Sequence, residues 1–244
     1  MLDEAPTLGQ QLAQLQDQQA AITQALLAMD EGRWTGSGSV EAYLLALNPT
    51  WQGELSPLPP LYELPPPTPI PPLHVRWVPS PNYWSGHGGW PVVALVVHTM
   101  GGSLAGCDSW FGDPYSQVSA HYGIGLDGAQ HQYVHLADSA GANGVRELGN
   151  EWQAIVGNVA NPNWQTISIE TEDAGSGATA VTDAQYGSTL AVARHALDAY
   201  PTIHYLFSHR IISPQSRPQC CGNRWWDSGR FEALAAALGL EAYA

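Results

Sequence analysis

The period of the apolar residues changes along the chain. Leu8, Leu12, Leu15, Gln19, Ile22, Leu26 and Met29 follow a 4-3-4-3-4-3 spacing within residues 7–30. That is a coiled-coil seam with one polar position. It predicts a short helix that self-associates, making a homo-oligomer, or docks on the rest of the chain, because about three heptads are marginal alone. A second helical patch is expected over Val40–Leu47. Between Ser56 and Pro72 the periodicity vanishes, and nine of those seventeen residues are Pro. Few backbone donors and a fixed φ favour polyproline II, hence a semi-rigid spacer, with a ligand for an SH3-type domain as the alternative.

From about Arg76 onward strand-like and helix-like stretches alternate. Val92–Val97 is a continuous apolar, β-branched run and predicts a buried central strand. Ser103–Phe111 reads as a short helix. Ser119–Leu126 and Gln130–Val134 flank Asp127-Gly128 and predict a hairpin. Thr166–Thr171 alternates as a strand. Thr182 is placed to cap a helix through Tyr200, which Pro201 stops. Thr202–Ser208 is another strand, and Ser228 is expected to cap a last helix ending near Gly239. The alternation predicts an α/β fold, a mixed central β-sheet flanked by helices. The expected organisation is a helical segment over 1–50, a Pro-rich linker over 51–77 and a globular domain over 78–244.

Composition narrows the function. Apolar residues make up 44% of the 244 residues, too many for a disordered chain. No apolar run approaches the roughly 20 residues that span a bilayer, so no membrane insertion is expected. The formal charge is −14, and all eight bases are Arg. Such a chain does not attract nucleic acid in bulk. Three Cys, two of them adjacent at Cys220 and Cys221, make no disulfide framework. The N-terminus shows neither a basic nor an apolar signal region, so synthesis in a reducing cytoplasm without a signal peptide is expected. There, Cys points to metal or catalysis.

His98 directly follows the predicted strand Val92–Val97, and His209 directly follows Thr202–Ser208. Sites in open α/β sheets gather at the carboxyl ends of strands. Cys220 lies eleven residues beyond His209, after a turn-rich segment. Two imidazoles and one thiolate would make the three protein ligands of a catalytic zinc. The alternative is ordinary: histidines satisfied by polar neighbours, in a chain with nine of them. Glu170 shares a strand face with Ser168 and Glu172. It is a candidate general base, or one of a solvated acidic set with Glu172 and Asp173.

Together these segments resemble the zinc N-acetylmuramoyl-L-alanine amidase type 2 family, which includes phage amidase endolysins and peptidoglycan recognition proteins. The resemblance rests on Val96-Val-His98-Thr-Met-Gly-Gly102, Asp108-Ser-Trp-Phe111 and Gln117-Val-Ser-Ala-His-Tyr-Gly-Ile-Gly-Leu-Asp-Gly128. Thr166-Ile-Ser-Ile-Glu170, Ser208-His-Arg-Ile-Ile-Ser-Pro214 and Cys220-Cys-Gly-Asn-Arg-Trp225 follow in the expected order. It spans about residues 78–240 and is silent on residues 1–75.

The resemblance implies zinc held by His98, His209 and a third ligand at Cys220, in preference to Cys221. It implies Glu170 as the catalytic acid/base and hydrolysis of the amide between N-acetylmuramic acid and the L-alanine of the stem peptide. The implied partner is bacterial peptidoglycan, and the favoured role is a phage endolysin acting on the host cell wall. A non-catalytic peptidoglycan-binding module and a cytoplasmic muropeptide-recycling amidase are the alternatives. Two departures stand out. Pro218 occupies the place of a family Lys, with Arg217 next door as the substitute charge on the oxyanion. The family's Trp-His-Ala-Gly loop is replaced by Ala140-Gly-Ala-Asn-Gly144, with His135 nearby. Trp84, Trp90, Tyr122 and Trp225 are candidate sugar contacts, with core packing as the alternative for each.

Overall fold

The computed structural model describes residues 72–157, 161–175 and 179–244. The heptad segment, the Val40–Leu47 patch and nearly all of the Pro-rich segment lie outside the described residues.

Nine strands and five helices are described: β1 (Val75–Trp77), β2 (Tyr83–Trp84), β3 (Ala94–Thr99), α1 (Leu104–Gly112), β4 (Tyr122–Ile124), β5 (Gln130–Gln132), β6 (Ser139–Ala140), α2 (Trp152–Val156), β7 (Thr166–Thr171), α3 (Asp183–Ala199), β8 (Tyr205–Ser208), α4 (Asn223–Trp226), α5 (Arg230–Leu238) and β9 (Glu241–Tyr243). Seven strands form one mixed sheet in the order β1-β5-β4-β7-β3-β8-β9, and β2 pairs with β6 separately. Only β4 and β5 pair antiparallel within the large sheet. The sheet takes in Val75–Trp77, so it starts before position 78.

Period two explains two of the three hydrophobic clusters. On one face Leu95, Val97, Ile167 and Ile169 pack with Leu190 and Val192 of α3 and Phe231 and Leu234 of α5. On the other, Ala94 and Val96 meet Trp152, Phe207, Ile211 and Ile212. The strand β3 lies between β7 and β8 and is covered on both faces, which is why its sequence is continuously apolar.

Most local expectations hold. Ser103 caps α1 by accepting from Gly106 N at 3.1 Å. Thr182 caps α3 by accepting from Gln185 N at 2.9 Å, and the helix ends just before Pro201. The Asp127-Gly128 turn joins β4 to β5, and Gly128 is required there. Its φ is +86°, and a Cβ would stand 3.0 Å from the carbonyl oxygen of Ala184.

Several expectations need correction: the strands expected over Ser119–Leu126, Gln130–Val134 and Thr202–Ser208 shorten to Tyr122–Ile124, Gln130–Gln132 and Tyr205–Ser208, the stretches where ladder pairing is made. The central strand runs Ala94–Thr99, two residues later than expected, because pairing with β7 continues through His98↔Glu170 and Thr99↔Thr171. His98 is therefore within the strand, not after it. Ser228 does not cap α5; Gly229 holds that place. The Ser228 hydroxyl donates back to the carbonyl of Arg224 at 2.7 Å and closes the preceding turn instead.

Candidate active site

The strands β7, β3 and β8 are parallel neighbours, so their carboxyl ends lie side by side. Register sets His98 beside Glu170 on the same face. His209 opens a 3₁₀ turn immediately after β8. The backbone N–H of Arg210 donates to the carbonyl of Cys220 at 3.0 Å, which folds the Ser213–Gln219 segment back and brings Cys220 to His209.

His98, His209 and Cys220 form one buried cluster, with a donor atom from each lying within 4.8 Å of the others. The two Nδ1 atoms are 3.1 Å apart. The Cys220 Sγ accepts from Thr99 N–H at 3.4 Å. The Glu170 Oε1 lies 3.8 Å from His98 Nδ1. Cys221 is fully buried in the core, and of the two adjacent cysteines only Cys220 belongs to this cluster.

Burial sets the protonation states. It holds His98 well below the usual imidazole range, with neighbouring His209 acting in the same direction. Burial lowers His209 to about 4. Both rings are therefore neutral near pH 7, each with one ring nitrogen free to coordinate. The His209 Nε2 faces the carbonyl oxygen of Asn143 at 3.2 Å. A carbonyl only accepts, so Nε2 carries the proton and Nδ1 carries the lone pair. Burial pushes the Cys220 thiol up, and Glu170 adds to this. Only a nearby cation stabilises the thiolate in such a place. Two neutral imidazoles and a thiol, buried together, thus fit a divalent metal of the borderline-soft kind.

Burial also raises Glu170 to about 8, with Asp173 adding to the shift and Arg217 opposing it. A cation at the cluster acts against that shift and draws Glu170 towards its carboxylate form. Glu170 and its neighbours do not form a solvated face. Asp173 is 1% exposed and accepts from the Thr99 hydroxyl at 2.7 Å. Glu172 accepts from Leu126 N–H at 3.0 Å.

The cluster opens into a groove of about 1000 Å³ walled by Met100, Trp110, Phe111, Val118, Arg217 and Pro218. A second cavity of about 520 Å³ shares His209 and Arg217 with it and adds Trp84, Glu147, Asn161 and Asn163. Arg217 is exposed at the junction, and its Nη1 donates to Ser216 O at 3.0 Å.

The candidate aromatics divide. Trp84 lines the second cavity. Trp90 is 43% exposed but lines neither cavity. Tyr122 and Trp225 are 0% exposed and belong to the core, so neither is a substrate contact. Their register explains it: Tyr122 is on an interior strand, and Trp225 packs under β7, with its Nε1 donating to Thr171 Oγ1 at 3.1 Å. Tyr122→Phe is expected to cost about 0.5–1.5 kcal/mol, by removing the 2.8 Å contact to His195 Nδ1, without changing KM. Denaturant unfolding together with steady-state kinetics would show it, and a KM several-fold higher would return Tyr122 to the groove. His135 stacks on Trp77 at 4.3 Å and lines neither cavity.

Sequence reasoning missed Trp110, Thr99, Asp173 and Asn143. Trp110 left a trace: Leu104, Cys107 and Phe111 make the buried stripe of α1, and Trp110, 56% exposed, falls outside it. The other three act through contacts between distant segments and leave no local pattern.

A family model described as N-acetylmuramoyl-L-alanine amidase matches residues 88–223, a span that contains His98, Glu170, His209, Arg217 and Cys220. The N-acetylmuramoyl-L-alanine amidase A of Achromobacter lyticus is 37% identical over 95 residues, which are 37% of this chain and 45% of that protein. The chain thus matches a little under half the length of that curated relative. A selenomethionine derivative of AmpD is 30% identical, with a TM-score of 0.53, covering 66% of this chain and 93% of that one. A mutant of PlyL, 16% identical with a TM-score of 0.50 over 68% of this chain and 99% of that one, shares the fold.

Proposed function

The chain belongs to the N-acetylmuramoyl-L-alanine amidase family, and we propose that it is a zinc-dependent hydrolase of bacterial peptidoglycan. The bond cleaved is the amide between the lactyl group of N-acetylmuramic acid and the L-alanine of the stem peptide. The observation that carries this reading is the buried His98–His209–Cys220 cluster with the Glu170 carboxyl 3.8 Å from His98.

His98, His209 and Cys220 are the residues that would hold the metal, each offering one donor atom. Bound there, zinc supplies Lewis acidity, polarising an amide carbonyl and making water acidic enough to attack near neutral pH. The Glu170 Oε2 is buried without a protein partner among the described residues, free to take a proton from an attacking water. The same carboxyl then returns that proton to the departing L-alanine nitrogen. Arg217, between the two cavities, offers its guanidinium to the oxygen that gains charge. Trp84 offers an aromatic face for a sugar ring. Retention of both Cys220 and Glu170 favours an enzyme over a binding module.

One digestion tests the reading. Purified protein is incubated with peptidoglycan, with zinc present or chelated, and the products are analysed by mass spectrometry. The expected result is free stem peptides beginning with L-alanine, lost on chelation and restored by zinc. Tight binding without cleavage would overturn it. The biological role we favour is lysis of the host wall by a phage endolysin. It predicts that intact sacculi are cleaved at least as readily as soluble anhydro-muropeptides, and strong preference for the soluble form would point to recycling.

A further inference from the structure

The loop after β6 walls the second cavity over Ala142–Gly144, and Ala142 lines the groove as well. This stretch is neither helix nor strand, so no ladder fixes its shape. A side chain from another segment braces it. Asn163 is 2% exposed. Its Oδ1 accepts from Ala142 N–H at 3.1 Å and from Asn143 N–H at 2.8 Å. Its Nδ2 donates to the carbonyl of Gly144 at 3.2 Å and to Asn161 Oδ1 at 2.9 Å. Two N–H groups need an acceptor and two oxygens need a donor, so only this orientation of the amide satisfies all four. Asn161 Oδ1 also accepts from Asn163 N–H at 3.0 Å, which steadies the base of the brace. Three consecutive wall residues are thus tied to a single buried amide.

The chemistry decides which half of the substrate meets that wall. Hydrolysis adds hydroxyl to the lactyl carbonyl carbon, breaks the C–N bond and places a proton on the departing nitrogen. That proton comes from Glu170, and a proton donor acts only within hydrogen-bond reach, about 2.6–3.2 Å. Glu170 lines the groove and not the second cavity. The nitrogen, and the peptide attached to it, therefore lie on the groove side. His209 and Arg217 are common to both spaces, which places the scissile carbonyl between them. The lactyl half, with its sugar, then extends into the second cavity. There the Trp84 ring is 48% exposed and covers Gly141, where a Cβ would stand 3.6 Å from it.

We propose that Asn163 is a specificity-determining positioning residue: by bracing Ala142–Gly144 it shapes the second cavity to hold the saccharide half of the substrate. The inference rests on the hydrolase reading above. Asn163 acts through the loop and touches neither His98, His209 nor Cys220 by any hydrogen bond described.

The test compares two substrates of the same stem-peptide sequence, one carrying N-acetylmuramic acid and one carrying only D-lactate on the L-alanine nitrogen. The unsubstituted full chain should cleave the saccharide form with the higher kcat/KM. In Asn163→Ala that preference should shrink by up to about 100-fold, the scale of a misplacement of about 1 Å. Asn163→Asp keeps the acceptor for Ala142 and Asn143 but loses the donation to Gly144, and should shrink the preference in the same direction. Thermal unfolding identifies the variants that fold. A folded Asn163→Ala protein with the full preference would overturn the proposal. So would a loss shared equally by both substrates, which is the mark of a purely structural role. Equal cleavage of the two substrates by the unsubstituted protein would overturn it whether or not the variants fold. Cleavage of neither would overturn the hydrolase reading itself, and the proposal with it.

Discussion

Cys220→Ser is expected to remove zinc binding and turnover together. The substitution exchanges a thiol for a hydroxyl, which does not ionise near neutral pH and is a poor ligand for a borderline-soft metal. It leaves the surroundings nearly intact. The side chain is about nine-tenths buried, the Thr99 N–H still finds an acceptor, and the fully buried neighbour Cys221 is untouched. Zinc affinity should fall by more than the ~10–100-fold that loss of an outer partner costs, with hydrolysis falling to background. Chelator competition and peptide release read the two effects separately, while thermal unfolding of the metal-free proteins should be similar. Full turnover in Cys220→Ser would exclude Cys220 as an essential ligand. Cys221→Ser, by contrast, should disturb packing, because that side chain belongs to the core cluster with Trp225 and Ile169.

Glu170→Gln should separate chemistry from metal binding. Gln keeps the shape of the side chain and its place beside His98 but cannot accept a proton. Loss of a general acid/base typically costs about 10²–10⁴-fold in kcat. Zinc Kd should change only a few-fold, since Glu170 Oε1 stands 3.8 Å from the His98 ring and is not part of the donor cluster. Substrate capture by the groove should survive, so the variant should still sediment with peptidoglycan. A kcat within tenfold of the unsubstituted enzyme would move the acid/base role elsewhere.

Much of the fold was legible because its longer elements carry their own boundary marks. Thr166–Thr171 alternates cleanly, and the strand observed has the same limits. The helix Asp183–Ala199 is bracketed by a capping Thr182 and by Pro201. Strands of two or three residues are too short to display any period; β4 and β5 were marked by the Asp127-Gly128 turn between them, whereas β1, β2, β6 and β9 have no such mark. Their pairing depends on partners far away in the chain.

The candidate site was legible in its donors and less so in its walls. His98, Glu170, His209 and Cys220 are chemically distinctive, and three of them lie at the ends of strands. Tyr122 and Trp225 are as aromatic as Trp84 and Trp110, and nothing local tells a groove wall from a core residue. Exposure separates them: 0% for the first two, against 48% and 56% for the others. Arg217 was named from its place beside Pro218, and its position between two cavities emerged only when the loop folded back.

By itself the sequence determined the alternation of strands and helices, the caps and turns, and a short list of residues able to bind metal or move a proton. Periodicity, capping and side-chain chemistry are properties of neighbours in the chain. Tertiary structure decided which cysteine faces the histidines, which aromatics meet solvent, and which loop carbonyl meets His209. Those choices depend on parallel pairing and close packing between segments such as Asn143 and His209, 66 residues apart. A one-residue change of strand register would reverse the faces and undo them.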